Sequence, residues 1–151
     1  MPRLALIAVL ALAACGEPTE QPQPAPEAPV AAVPPLDWLA EEGALVLRDH
    51  GVELLKIECS TDKGLIVHGR QFKPVGSEER MSVGAGDVVV TLVATPDEGA
   101  MKGEGHADPD FLRALGEGRK VAVNYGYQNM GAYDGPPRAI AEPFAAACMP
   151  G

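Results

Sequence analysis

Proline spacing is the feature that most constrains what this 151-residue chain can fold into. Between Gly16 and Pro35, a proline stands at nearly every second or third position. Because proline lacks a backbone N–H and clashes with the preceding helical turn, this segment can join neither a helix nor the middle of a sheet. It also has almost no apolar bulk to bury. We therefore expect an extended linker over 15–35 and a single globular domain over 36–151.

An apolar run precedes the linker. Residues 1–3 carry one positive charge, and Leu4 to Ala13 contain no charged or amide side chain. Ten residues rise only about 15 Å as a helix, roughly half the thickness of a bilayer core, so the run predicts a signal peptide and not a membrane-spanning helix. It ends in Leu12-Ala13-Ala14-Cys15, which resembles the lipobox of bacterial lipoproteins.

The lipobox resemblance implies processing and anchoring. Residues 1–14 would be the signal peptide, and Cys15 would receive the lipid that holds the chain on a membrane. Gly16 is not the aspartate that retains such proteins in the inner membrane of enteric bacteria, which suggests the outer membrane, facing the periplasm. The alternative is an ordinary secretory signal with a chance cysteine. The linker is either a tether of about 60 Å or a spacer without a required length.

Cysteine parity predicts one disulfide. Lipid on Cys15 leaves Cys59 and Cys148, and an even pair in an exported chain indicates a bridge. Closing the loop between these two cysteines with a disulfide would stabilise the fold by roughly 4–5 kcal/mol in the chain-entropy model. Two buried thiols or a two-cysteine metal site are the alternatives, but the chain has no further cysteine and no CxxC spacing.

The net charge of the chain limits the classes of partner that it can bind. The formal net charge is −9, and loss of Arg3 with the signal peptide would make it −10. Such a negative net charge disfavours binding to nucleic acid and electrostatic binding to anionic lipid. We expect a membrane contact through the lipid on Cys15, an unknown protein or glycan partner, no nucleic acid and no cofactor.

Hydrophobic patterning predicts an α+β domain with an antiparallel sheet of about five to six strands and two short helices. The predicted strands span 44–47, 53–59, 65–72, 81–83, 88–94 and 120–127. A helical turn is expected from Asp37 to Gly43, and helices are expected over 108–116 and 138–148. The near-continuous apolar run Val88–Ala94 predicts a central strand buried on both faces.

The search for catalytic chemistry favours structural interpretations. No serine lies in a Gly-x-Ser-x-Gly turn, and the three histidines are far apart. Gly84-Ala85-Gly86 precedes a strand and is typical of a hairpin turn. The segment Glu104–Asp110 offers one imidazole and three carboxylates, which could bind a metal ion. A capped helix start at Asp108 explains it better, so we assign neither catalytic residues nor a metal site.

A candidate binding surface comprises Tyr125, Tyr127, Asn129 and Tyr133, since tyrosine and amide side chains are common in sugar and peptide contacts. A plain edge strand running into a mobile loop is the alternative. We expect a non-catalytic envelope lipoprotein that binds a protein or a glycan. An inhibitor of a cell-wall hydrolase is a second possibility. A third is a hydrolase that uses scattered carboxylates, for example Glu78, Glu79 or Asp87.

Overall fold

The computed structural model describes residues 36–149, which form nine strands and two helices. The strands are β1 Leu36–Glu41, β2 Ala44–Asp49, β3 Val52–Cys59, β4 Gly64–Gly69, β5 Arg80–Ala85, β6 Val88–Asp97, β7 Ala100–His106, β8 Val121–Tyr125 and β9 Gln128–Tyr133. The helices are α1 Pro109–Gly116 and α2 Arg138–Cys148. The expected signal peptide, the lipidated Cys15 and the linker lie outside the described residues.

One antiparallel sheet contains all nine described strands, in the order β1-β2-β3-β4-β7-β6-β5-β8-β9, and it curls into a half-barrel. Five of its hairpins have two-residue loops. Three of these loops place both residues at positive φ, at Glu42-Gly43, His50-Gly51 and Glu98-Gly99. The loops Gly86-Asp87 and Gly126-Tyr127 begin with a glycine at positive φ. Such turns match the right-handed twist of the strands that they connect.

The inner face of the half-barrel forms the core together with the helices. Alternate strand residues such as Leu55, Val67 and Leu92 point inward and are fully buried. Phe111 of α1 and Phe144 of α2 join the same cluster. At the open side, Trp38 of β1 donates its ring N–H to the carbonyl of Asp134, just after β9, at 2.8 Å. This bond links the two edge strands of the sheet.

The expectation of five to six strands is wrong, because the sheet has nine. The segment expected to be a helical turn from Asp37 is β1, since the Glu42-Gly43 turn pairs Trp38 with Leu47. The strands β7 and β9 are absent from the predicted set, because both contain glycine and polar residues in place of an apolar alternation. The protein is therefore mostly β, and the helices are additions to one sheet.

The strand β6 is central in the sheet, but the expectation of burial on both faces is wrong. Its residues alternate, so that Val90, Leu92 and Ala94 are buried whereas Val89 and Val93 are 63% and 64% exposed. Only the inner face is covered by the helices. The outer face of the sheet presents β-branched side chains to solvent.

The two helices lie where the sequence predicts them. Asp108 caps α1, and its side-chain oxygen accepts hydrogen bonds from the backbone N–H groups of Asp110 (2.7 Å) and Phe111 (3.2 Å). The helix α2 runs from Arg138 to Cys148 with Pro143 inside it. Within residues 36–149, neither helix has the length and apolar character needed to cross a membrane.

Candidate binding site

Tyr125, the first of the four predicted binding residues, belongs to the core. It is 1% exposed, and its ring lies 6.0 Å from that of Phe72, measured between centroids. Its hydroxyl donates to the carbonyl of Glu78 at 3.0 Å and accepts from the backbone N–H of Val75 at 3.2 Å. Tyr125 therefore fastens the long 70–79 connection to β8, and a partner could not reach its ring.

Tyr133 lies apart from the other predicted binding residues. It pairs with the buried Val121, packs against the core and is half-buried. Burial and the nearby carboxylate of Asp49 raise the pKa of its phenol. Its neighbourhood is thus the open side of the half-barrel, near the end of β2.

Tyr127 and Asn129 remain together at the surface. Tyr127 occupies the tip of the β8–β9 turn and is 86% exposed. Asn129 is exposed on β9, and its amide donates to the side-chain oxygen of Asn124 at 2.5 Å. The candidate surface is therefore reduced to this end of the β8–β9 hairpin.

A small polar depression lies beside this hairpin on the outer face of the sheet. Its volume is about 190 Å³, and three adjacent strands with their flanking residues contribute its lining. The lining residues are Glu78, Arg80, Ser82, Thr91, Asn124 and Gly126. We call it the outer-face depression. Two hydroxyls, a carboxylate, a guanidinium and an amide thus converge within the volume of one small polar ligand.

Sequence reasoning missed the outer-face depression because its lining comes from distant parts of the chain. Ser82, Thr91 and Asn124 are polar residues at outward positions of three separate strands. Register brings them into one row, since Ser82 pairs with both Thr91 and Asn124. The sequence does show polar residues at outward positions of three predicted strands. It does not show the order of the strands, which is needed to place these residues side by side.

The densest ionisable cluster surrounds His68 on the outer face. Its Nε2 atom lies 3.1 Å from a carboxylate oxygen of Glu58, and its Nδ1 atom lies 3.0 Å from one of Asp97. Burial of the Glu58 carboxyl acts to raise its pKa, but hydrogen bonds from Lys56 and His68 outweigh that effect and lower the pKa. His68 therefore links neighbouring strands of the sheet, and both nitrogens of its imidazole already have carboxylate partners.

A second ion pair extends this cluster. The Arg70 guanidinium donates to Glu53 at 2.8 Å, and this hydrogen bond raises the pKa of Arg70 further. The Nη1 atom of Arg70 lies 3.8 Å from a carboxylate oxygen of Asp97. The charges of β3, of β4 with the Arg70 that follows it, and of the end of β6 thus balance one another across the sheet, which is a structural arrangement.

The carboxylates considered for hydrolysis lie at opposite ends of β5. Glu78 and Glu79 precede this strand, whereas Asp87 is in the turn that follows it. Six strand residues separate them, which corresponds to about 20 Å. Glycoside hydrolases place their two carboxyl groups about 5–9.5 Å apart. The geometry does not bring Asp87 together with either glutamate.

Cys59 and Cys148 are joined by a disulfide, with their Cα atoms 5.7 Å apart. Nearby, the ammonium group of Lys63 donates to the carbonyl of Ala147 at 2.5 Å. The bridge connects the end of β3 to the end of α2. Both links attach the last turn of this helix to the β3–β4 hairpin.

The segment Glu104–Asp110 is divided between two elements. Its first three residues complete β7, and Asp108 caps α1. Among residues 36–149, no group of three or more histidine, cysteine, aspartate or glutamate side chains is arranged to hold a metal ion.

No family model, curated protein or solved structure matches this chain.

Proposed function

We propose that this chain is an exported, lipid-anchored protein of the bacterial envelope, and that its domain binds a glycan without transforming it. One observation carries the binding proposal. The outer-face depression lies beside Tyr127, which is exposed at the tip of a two-residue turn. A polar cleft next to an exposed aromatic ring suits a sugar, which presents hydroxyls at its edge and C–H groups on its face.

The chemistry of the depression supports a small, hydroxyl-rich ligand. Ser82 and Thr91 can both donate and accept hydrogen bonds, and Arg80 supplies donors from an exposed guanidinium. The Glu78 carboxylate accepts from the backbone N–H of Arg80 at 3.0 Å, so one of its oxygens is already held in place. The strands β5 and β6 hold Ser82 and Thr91 in place before a ligand arrives, which lowers the entropic cost of binding.

Charge supports a neutral or basic glycan over an acidic one. The net charge of −9 repels an anionic polymer at long range, although Arg80 could contact a single carboxylate locally. Added salt should therefore have little effect on the binding of a neutral glycan and should weaken the binding of a basic one.

Inhibition of a cell-wall hydrolase is a second candidate, favoured by the position of Tyr127. A single aromatic side chain at the tip of a tight turn is 86% exposed and could enter the cleft of an enzyme. In that case the partner would be a protein, and free sugars would not compete with it.

The decisive measurement is a calorimetric titration of the purified protein with neutral, amino-sugar and acidic oligosaccharides. We expect Tyr127→Ala and Ser82→Ala each to weaken glycan binding about tenfold, whereas Tyr127→Phe should keep most of the affinity. Val52→Ala is the matched control, because Val52 is 64% exposed on a different hairpin. The melting temperature should be unchanged in all four variants.

Absence of binding across the whole panel would contradict the glycan proposal. Equal affinity in the Tyr127→Ala and Val52→Ala variants would place any glycan site elsewhere. Tight binding to a hydrolase that Tyr127→Ala abolishes, without competition from sugars, would favour the inhibitor.

A further inference from the structure

A ridge that no other part of residues 36–149 covers runs along the outer face of β6. Its four outward residues are Val89, Thr91, Val93 and Thr95, and all four are exposed. We call them the outer ridge. The strand β6 lies between β7 and β5, so the ridge is in the middle of the sheet and not at an edge. Two valines that are each more than 60% exposed there form an apolar strip with polar surroundings.

The charges beside the ridge have opposite signs on its two sides. Val93 pairs with Arg80 on the β5 side and with Glu104 on the β7 side. Residues directly opposite one another in a sheet share a face, so all three side chains project outward. Neighbouring strands are about 4.8 Å apart, which places the positive and negative residues roughly 10 Å apart across the apolar centre.

The next row reverses the order of the charges. Thr95 pairs with Lys102 on the β7 side. On the β5 side, Glu78 precedes Arg80 by two residues, and its side chain lines the outer-face depression together with Arg80. The β5 side therefore carries a negative and then a positive group, whereas the β7 side carries a positive and then a negative one. The charge pattern is antisymmetric across the ridge.

A pattern of this kind is complementary to itself. A second copy can be placed face to face with the first by a rotation of 180° about an axis parallel to β6. The β5 side of one copy then lies over the β7 side of the other, and the two ridges lie against each other. Arg80 of one copy then faces Glu104 of the other, and Glu78 faces Lys102. The two valines each meet their own counterparts. We infer that the outer ridge is the contact surface for a second copy of this chain, in a symmetric dimer of the isologous type.

The dimer would cover the outer-face depression in part, because Thr91 belongs to the ridge and Glu78 and Arg80 lie beside it. This inference does not depend on the proposed function, since the ridge and its charges stand without a ligand. If the depression does bind a glycan, however, ligand and second copy compete, and each should weaken the binding of the other. Because the outer faces of two curled sheets touch along a narrow strip, we expect a weak dimer.

Cysteine cross-linking tests the axis directly in the full chain. Val93 should lie against its own counterpart, so Val93→Cys should give a disulfide-linked dimer on a non-reducing gel that reductant converts to monomer. Val52→Cys is the control, because Val52 is equally exposed but lies on the β2–β3 hairpin. It should remain monomeric. Both variants also carry Cys15→Ser, because Cys59 and Cys148 are joined to each other and Cys15 would otherwise add a second free thiol.

Charge reversal tests the complementarity. In the Val93→Cys background, Arg80→Glu or Glu104→Arg alone should lower the yield of cross-linked dimer about three- to tenfold, because each change places like charges together twice in a symmetric dimer. The combined Arg80→Glu/Glu104→Arg variant should restore most of the yield.

A monomeric Val93→Cys protein, or equal cross-linking of Val93→Cys and Val52→Cys, would overturn the inference. Failure of the combined charge variant to recover would exclude the two-fold axis along β6. A cross-linked species with a mass other than twice that of the chain would identify a different partner on the ridge and would also refute the second copy.

Discussion

Glu42 adopts a backbone conformation that its side chain does not favour. It is the first residue of the β1–β2 turn, with φ of 47°, and the turn requires positive φ at both central positions. The left-handed region costs most L-residues about 1–2 kcal/mol, whereas asparagine tolerates it better. The same strain recurs at His50 and Glu98, which shows that three hairpins keep their tight geometry with residues other than the preferred asparagine or aspartate.

We predict that Glu42→Asn raises the free energy of unfolding by about 0.5–1 kcal/mol, because it relieves part of this strain. Glu42 is exposed, so the substitution leaves the core untouched. Glu42→Val should have the opposite effect, since a branched Cβ is least compatible with positive φ. Urea denaturation at constant pH measures both changes. Equal stability of the asparagine and valine variants would contradict the argument.

The strand β7 shows why the sequence did not reveal the whole sheet. A Cβ on Gly103 would lie 3.1 Å from Leu92 and 3.0 Å from the sulfur of Met81, and one on Gly105 would lie 2.9 Å from Leu92. Glycine on the inner face thus makes room for large side chains of the neighbouring strands. Such a strand lacks the apolar alternation that identifies strands in sequence. The helix α1 was predictable, by contrast, because its cap and first turn are local signals.

The helix α2 depends on its covalent link to the sheet. The residues that it buries are small except for Phe144, and its N-terminus has no side-chain cap.

Cys148→Ser should therefore lower the free energy of unfolding by about 2–5 kcal/mol under oxidising conditions. Under strong reductant the variant and the parent protein should have the same stability. Lys63→Met, which removes only the hydrogen bond to Ala147, should cost much less. Two alkylatable thiols in the native protein would refute this account.

At the scale of the whole molecule, sequence reasoning located individual strands but not their order. It identified Tyr127 and Asn129 as surface candidates, yet it grouped them with Tyr125, which is in the core, and Tyr133, which is near β2. The insertion of β5 and β6 beyond β7, and the addition of β8 beside β5, create the outer-face depression and the outer ridge. The depression depends on the long-range pairing of β5 with β8, which no local pattern encodes, whereas the ridge and its flanking charges lie on the consecutive hairpins β5–β6 and β6–β7.

The proposed placement of this domain in the cell rests on the first sixteen residues of the chain, which precede the described fold. If Leu12-Ala13-Ala14-Cys15 is a lipobox, the mature protein begins at a lipidated Cys15, and Cys15→Ser should abolish acylation and leave an uncut or differently cut precursor. Mass spectrometry of the mature N-terminus and incorporation of labelled palmitate measure the two effects. Cys148→Ser is the matched control, because it removes another cysteine but keeps the lipobox, and it should be processed normally. An unmodified N-terminus at any other residue of the parent protein would refute lipid anchoring. Without acyl chains we would expect no firm membrane attachment, since a chain with a net charge of −9 has little electrostatic attraction to anionic lipid.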